Sequence, residues 1–325
     1  MVRAELPVLW FVIPCYNEED CLPVTKGLFL DELEVLVDEG AIAPESRILF
    51  VDDGSSDTTW EIIRGLHDAD PRFEGLKLSR NRGHQNALLA GLIEAEPHCD
   101  ITVSLDCDGQ DDVLKVGEMI AAYRDGADVV YGVRSSRATD TAFKRFTAES
   151  FYRVINALGG EVVFNHADYR LMSDRAIRGL MQFKEVNLFL RGVVPLVGYP
   201  SATVEYEREE RAAGHSHYPL SKMLHLAFDG ITSLSDKPLH VITGIGFFFS
   251  MVGFVGTIWA LLTRIFGEYV SGWPSLACII CFFAGLQLLA LGVIGEYIGK
   301  IYLEVKHRPR YLVDRRTWKE DARER

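Results

Sequence analysis

Residues 105–111, LDCDGQD, set three carboxylates and a carboxamide directly behind the apolar run ITVS. Carboxylates this close repel one another and resist burial, so a positive group belongs among them. Asp106 and Asp108 flank one residue, and on an extended or turning segment both can face the same way. Gln110 adds a neutral oxygen. Oxygen ligands without a histidine or a usable cysteine suit Mg²⁺ or Mn²⁺ rather than zinc. A D-x-D by itself is commonly a solvated turn. At the end of a core strand it reads as a seat for a hard cation that in turn holds a diphosphate.

Three further polar clusters follow apolar runs in the same manner: CYNEED after VLWFVIP, DDGSSD after RILFVDD, and RNRGHQN after GLKLS. The strand-like runs lie at 8–14, 47–53, 75–79, 101–106 and 128–132, with helical patterns near 22–37, 57–69, 83–95 and 112–125. Strands alternating with helices of this length predict a parallel α/β sheet with right-handed crossovers. Ligands of such sheets bind beyond the carboxyl ends of the strands, where all four clusters fall. Gly54 predicts a tight turn into a helix capped by Ser55, Ser56 or Asp57. Asp52 and Asp53 are not both needed for that cap and are candidates to read a nucleobase N–H. Pro14 predicts a turn presenting Tyr16 as a flat surface and Glu18 as a further acceptor, both suited to a nucleoside. Beyond Ser135 the pattern predicts a helix near 141–158, a short strand at ADYRLM, helices near 173–198 and an extended ATVEYERE.

After Pro238 the chain changes character. Residues 241–263 and 274–295 carry no formal charge. As helices these runs are about 33 Å long, enough to cross a bilayer core of about 30 Å. The connection RIFGEYVSGW is too short for a domain, so the pair predicts a membrane hairpin; two buried helices of a soluble protein are the alternative. Lys222 and Lys237 precede the first run; Lys300, Lys306, Arg308, Arg310, Arg315 and Arg316 follow the second, against Arg264 alone between them. The positive-inside tendency then places both termini and the N-terminal domain in the cytoplasm of a multi-pass protein of the inner (plasma) membrane. The opening MVRAELPVLWFVIP meets Pro7 and Pro14 too early for a signal peptide. Leu220, Met223, Leu224, Ala227, Phe228, Ile231 and Leu234 share one helical face, predicting an amphipathic helix on the membrane surface or one packed on the domain. The boundaries expected are 1–215 for the domain, 216–239 for that helix, 240–298 for the hairpin and 299–325 for a basic tail. A net charge of −12 argues against a nucleic-acid partner. Cys15, Cys21, Cys99 and Cys107 show no ligand-like spacing, and Cys278-x-x-Cys281 falls inside an apolar run.

The ordered set IPCYNEE, VDDGSSD, RNRGHQNAL, DCDGQD, VVYGVR, ADYRLM and REERAAGHSHY, followed by a hairpin, resembles the polyprenyl-phosphate glycosyltransferases of glycosyltransferase family 2. These include bactoprenol glucosyltransferases and dolichyl-phosphate mannose synthases. The resemblance covers nearly the whole chain. It implies a GT-A (Rossmann-like) nucleotide-diphospho-sugar transferase domain joined to a C-terminal two-helix transmembrane hairpin. It also implies transfer of a sugar, with inversion, from a nucleotide diphosphate to a lipid phosphate. By position, Pro14, Tyr16, Glu18, Asp52 and Asp53 would bind the nucleoside; Asp106, Asp108 and Gln110 would bind the metal and donor diphosphate. Arg134, Arg170, Arg211 and Ser216 would meet phosphates. Asp168 would orient the acceptor or act as a weak base, and pairing with Arg170 or a neighbouring arginine is its alternative role. Asp108, Asp168 and Arg211 are thus the catalytic candidates. The family pattern G-x-S-K reads GHSHY here, with His217 in place of lysine, so Lys222 or Arg211 is expected to supply the missing charge beside the acceptor, or else acceptor binding depends on pH. Arg191 either reaches the pocket or forms a surface ion pair.

UDP-glucose and undecaprenyl phosphate are the substrates expected first, giving a lipid-linked sugar for cell-envelope glycosylation; GDP-mannose stands second. The resemblance also implies a homo-oligomer, a tetramer in similar proteins, and the basic tail is a candidate strand for a neighbouring subunit. A processive polysaccharide synthase would carry Q-x-x-R-W, yet none of the five tryptophans follows an arginine. A non-catalytic membrane scaffold sensing nucleotide sugars is the alternative from another class.

Overall fold

The computed structural model describes residues 6–134, 166–186, 190–207, 237–265 and 272–318. Strand β1 (Leu9–Cys15) leads through α1 (Leu22–Asp38) to β2 (Arg47–Asp52), α2 (Thr59–Ala69), β3 (Phe73–Leu78), α3 (His84–Ala95) and β4 (Ile101–Ser104). Then come α4 (Val116–Arg124), β5 (Val129–Arg134), β6 (His166–Ser173), α5 (Asp174–Leu180), α6 (Leu190–Leu196) and β7 (Ser201–Tyr206). Two long helices, α7 (Lys237–Ile265) and α8 (Trp273–Val305), precede a last strand, β8 (Val313–Arg316).

The strands form one eight-stranded sheet in the order β7-β5-β6-β4-β1-β2-β3-β8. Strands β1, β2, β3 and β4 are mutually parallel, as are β5 and β7. The all-parallel expectation is corrected at two places: β6 runs antiparallel between β4 and β5, and β8 runs antiparallel along β3. Side chains alternate between the two faces, as pleating requires. In β1, Leu9, Phe11, Ile13 and Cys15 enter the core shared with α1 and α4, while Trp10 and Val12 enter the core shared with α3, α5 and α6. Gly91 of α3 lets that helix lie close on the sheet, since a Cβ there would stand 2.4 Å from Val12 and 2.7 Å from Val51.

Pro14 lies inside β1, paired with Val51, rather than in a turn. The β4 ladder ends at Val12, so the strand has a partner on one side only where proline lacks its N–H. The N-cap position of α2 is Thr58, whose side chain makes no capping bond, and Asp57 just before it accepts through Oδ1 from Thr59 N–H and Oγ1 at 3.1 and 2.7 Å.

Helices α7 and α8 contain windows long and apolar enough to cross a membrane, Lys237–Gly256 and Phe282–Val305. Neither window is buried against the domain, and Phe247, Phe254, Leu288 and Leu289 are each about two-thirds exposed. A water-soluble surface rarely offers so continuous an apolar area. The helices meet where Phe249 packs edge-on against Phe282 and Phe283.

After α8 the chain returns to the domain. Thr317 Oγ1 accepts from Gly75 N–H at 2.8 Å and donates to Glu74 at 2.6 Å. Arg316 pairs with Glu94 of α3 at 2.8 Å, and Trp318 packs edge-on against Trp10. The tail strand therefore pairs with its own sheet, where a neighbouring subunit had been the candidate. The amphipathic helix and the helix near 141–158 lie outside the described residues.

Candidate active site

The polar clusters converge at the carboxyl ends of β1, β2, β3 and β4. Asp52 and Asp53 build this rim. Asp52 Oδ1 accepts from Ser55 N–H at 2.8 Å, and its Oδ2 is 3.6 Å from Lys77 Nζ. Asp53 accepts from the backbone N–H groups of Arg82 and Gly83 at 2.7 and 2.8 Å. Burial raises the Asp53 carboxyl above its ordinary range, and those two bonds oppose the rise. Gly54 has φ +69°, and a Cβ there would lie 2.5 Å from the Arg80 carbonyl carbon. Only glycine combines that backbone with so close a neighbour. The 80–83 loop is thus seated on Asp53 and Gly54. Both carboxylates are buried; both Asp53 oxygens are taken by the 80–83 loop, whereas Asp52 Oδ2 has no hydrogen-bond partner.

That seating places His84, the first residue of α3. Its Nε2 lies 3.6 Å from Asp106 Oδ1 and 3.6 Å from Asp168 Oδ2. Asp168 also meets Arg191, at 3.0 Å to Nη2, and Arg170, at 2.5 Å to Nη2. Burial would raise the Asp168 carboxyl, but Arg191, His84 and Arg170 outweigh it and hold the group well below the usual carboxylate range. Asp106 is the opposite case: burial raises its pKa, Asp168 and Asp108 add to the rise, and His84 and Arg191 offset part of it. Burial lowers the His84 imidazole, yet its carboxylate neighbours leave it above its ordinary value. One end of the site therefore carries an ionised, cation-braced carboxylate, and the other carries Asp106, whose burial and acidic neighbours outweigh His84 and Arg191.

That second end fits a hard cation. Asp106 is partly exposed, and Asp108 lies before Gly109, whose φ of +67° turns the chain. Asp108 Oδ1 accepts from Gln110 N–H at 3.2 Å. Asp111 supports the loop from below: Oδ2 accepts from Asp106 N–H at 3.3 Å, and Oδ1 accepts from the Tyr206 hydroxyl at 2.8 Å. Burial, reinforced by Asp106, pushes Asp111 up to about 6. Arg134 Nε donates to Tyr206 Oη at 3.3 Å, so β5 and β7 are tied to the same loop. Ser104 Oγ donates to the Asp168 carbonyl at 2.5 Å and fixes β6 beside β4.

Of the candidates read from sequence, Asp106, Asp108, Gln110, Asp168 and Arg134 come together at this rim. Tyr16 is exposed and Glu18 partly exposed just past β1. Arg170 departs from expectation: it is 1% exposed and braces Asp168 from inside the sheet. Arg191 reaches the site and grips Asp168 with two nitrogens. Arg211, Ser216, His217 and Lys222 lie outside the described residues. The sequence reading missed His84, Asp111 and Tyr206. The Gly-His pair at the start of a helix behind a strand end was the available signal for His84.

Residues 10–180 match the family profile described as Glycosyl transferase family 2. An uncharacterized glycosyltransferase, YkoT of Bacillus subtilis (strain 168), is 47% identical over 313 residues, covering 96% of this chain and 93% of that protein. The bactoprenol glucosyl transferase of Shigella phage SfV is 40% identical over 305 residues, covering 93% of this chain and 96% of its own. Among solved structures, mannosyl-3-phosphoglycerate synthase from Rubrobacter xylanophilus superposes with a TM-score of 0.46 at 16% identity, covering 69% of this chain and 71% of that one. The family match and the relatives of nearly equal length agree with the sheet and its rim: this GT-A domain with its apolar C-terminal helices belongs to glycosyltransferase family 2.

Proposed function

We propose that the protein transfers a hexose from a nucleotide-diphosphate sugar to polyprenyl phosphate, with UDP-glucose and undecaprenyl phosphate as the first pair to test. The observation that carries this reading is the union in one chain of a carboxylate rim with two exposed apolar helices. The rim suits a cation-bound diphosphate, and the helices suit an acceptor that lives in a bilayer. The phage relative is named a bactoprenol glucosyl transferase, which supports the same choice of acceptor and sugar.

In this reading Asp106, Asp108 and Gln110 hold Mg²⁺ or Mn²⁺, which when bound offsets the charge of the departing diphosphate. Tyr16 and Glu18 flank the nucleoside, with Pro14, Asp52 and Asp53 shaping the floor. An oxygen of the lipid phosphate attacks the anomeric carbon opposite the bond to the diphosphate, which leaves with that electron pair and inverts the centre. The lipid phosphate is already mostly ionised near neutral pH, with a second pKa of about 6 by analogy with phosphorylated side chains. It needs no strong base, and Asp168, held ionised by Arg191, His84 and Arg170, is a poor one. Asp168 instead aims Arg191 and His84, and Arg134 and Arg191 offset the charge of the two phosphates; Arg211, Ser216, Lys222 and His217 are assigned to the acceptor phosphate by the resemblance alone. The domain and both ends of the hairpin face the cytoplasm, following the lysine and arginine count.

The test uses the purified full-length protein in detergent with Mg²⁺ or Mn²⁺ and labelled UDP-glucose. Label should enter the organic phase only when undecaprenyl phosphate is present, and Asp108→Ala should abolish transfer without changing the melting temperature. Transfer from GDP-mannose alone would reassign the donor. Binding without transfer across several donors would favour the sensing scaffold and defeat the reading.

A further inference from the structure

Helix α8 is longer than a bilayer core is thick. Its 33 residues span about 50 Å, against about 30 Å of hydrocarbon. Beyond the uncharged run, charge returns to it at Glu296, Lys300 and Glu304. Glu304 stands in the last turn, at the negative end of the helix dipole, where helix stability alone favours a cation. Its carboxylate is used on the domain instead: Oε1 accepts from the backbone N–H of Val186 at 2.7 Å. Just past the helix, Arg310 donates through Nη2 to the carbonyl of Phe183. Burial lowers this guanidinium, and Glu185 and Glu304 oppose the shift. Two side chains at the hairpin's end thus grip the backbone of 183–186, one by an N–H and one by a carbonyl.

That segment leads to Arg191. Three positions separate Val186 from Leu190, the first residue of α6, and Arg191 is the second. Leu190 N–H donates to Oε1 of Gln85, the neighbour of His84, at 3.0 Å. Leu190, Val193 and Val194 are buried, so α6 has one side packed in the core and its first amide tied to α3. We propose that Glu304 and Arg310 are positioning residues: by gripping 183–186, the end of the hairpin sets the start of α6 so that Arg191 meets Asp168. An arginine suited to phosphates is then held in register with the helix that would lie beside a lipid acceptor. The kinetic consequence rests on the proposed transfer, whereas the mechanical one rests on the geometry alone.

The experiment uses full-length protein in detergent and two readouts. Hydrogen exchange, followed by mass spectrometry, reads the peptide covering Leu190–Leu196, which contains neither Val186 nor a substituted residue. Glu304→Ala should speed its exchange about tenfold while α5 keeps its rate. In transfer from UDP-glucose to undecaprenyl phosphate, Glu304→Ala should lower turnover about 10–100-fold and raise the KM for the lipid phosphate. Glu304→Gln, which keeps an accepting oxygen, should retain most of the activity. In an Arg191→Lys background Glu304→Ala should add little, because its effect runs through that arginine. Unchanged exchange across α6, or losses that multiply in the double variant, overturns the inference. Should Glu304→Ala fail to fold, Arg310→Met is read in the same assays with the same expected changes. A parent protein that transfers no sugar from any donor defeats the proposed function, and exchange across α6 then decides the positioning role by itself.

Discussion

Asp168→Asn isolates the electrostatic reasoning at the centre of the site. The substitution keeps the shape and one acceptor oxygen but removes the charge that faces Arg170, Arg191 and His84. Arg191 and His84 are partly solvated, with side chains 34% and 43% exposed, so water takes over much of their loss. Arg170 is 1% exposed, and its Nε and Nη1 have no hydrogen-bond partner. Its only close charge partner among the described residues is Asp168. Stranding such a guanidinium costs about 3–5 kcal/mol. In a domain of this size about 1 kcal/mol moves the melting temperature by roughly 2–4 °C, so the drop should be roughly 6–20 °C. Arg170→Met should cost less, because Asp168 keeps Arg191 and His84. The double variant should recover part of the loss, giving a coupling of about 2–3 kcal/mol. Thermal unfolding of the three variants, followed by far-ultraviolet circular dichroism, supplies all the quantities. Strict additivity, or a melting temperature unmoved by Asp168→Asn, would refute the claim that this pair is internally compensated.

The other predictions test the scaffold around that pair. Gly54→Ala places a side chain in the left-handed region, at about 1–2 kcal/mol, and against the Arg80 backbone; differential scanning should show a lower melting temperature, and an unchanged one would contradict the docking of the 80–83 loop. His84→Asn should lower turnover about 10–100-fold with little change in melting, read from initial rates; undiminished turnover would mean His84 positions nothing. Burial, then Glu39 and Asp112, raises the Glu32 carboxyl to about 7, so the contribution of that proton is full below about 4.5 and is lost as pH rises through about 7. Glu32→Gln should therefore flatten this part of the stability–pH curve and stabilise the protein above pH 7 by up to about 3 kcal/mol, checked by melting scans across pH.

Most of the strands and helices were legible because β-branched runs and helical spacing are local properties. Strand direction was not. ADYRLM reads as a strand, but nothing within it says that it enters antiparallel between β4 and β5. Asp52 and Asp53 stood out as acceptors, and only the fold shows that backbone N–H groups of Arg82 and Gly83 take both oxygens of Asp53 while Ser55 takes one of Asp52. Arg170 was misread for want of alternation: Tyr169 and Leu171 enter one core, so Arg170 must enter the other alongside Met172. His84 escaped notice because its importance arises from a loop seated on a distant glycine. Asp106 and Asp108 were legible for the converse reason, since their chemistry is written in adjacent letters.

The return of the chain after α8 bears on how the enzyme can be handled in isolation. Because β8 seals the outer side of β3, the apolar hairpin is an insertion within the sheet's sequence and not a removable appendage. Cutting the chain before Lys237 to obtain a water-soluble catalytic fragment would bare the backbone of Phe73–Leu78 to any extended peptide in solution. Such a fragment should be sticky for reasons unrelated to lipid. Joining residue 236 to the segment that begins at Glu304 through a flexible spacer would keep the closing strand and the residues assigned to the acceptor phosphate, and discard only the oily part.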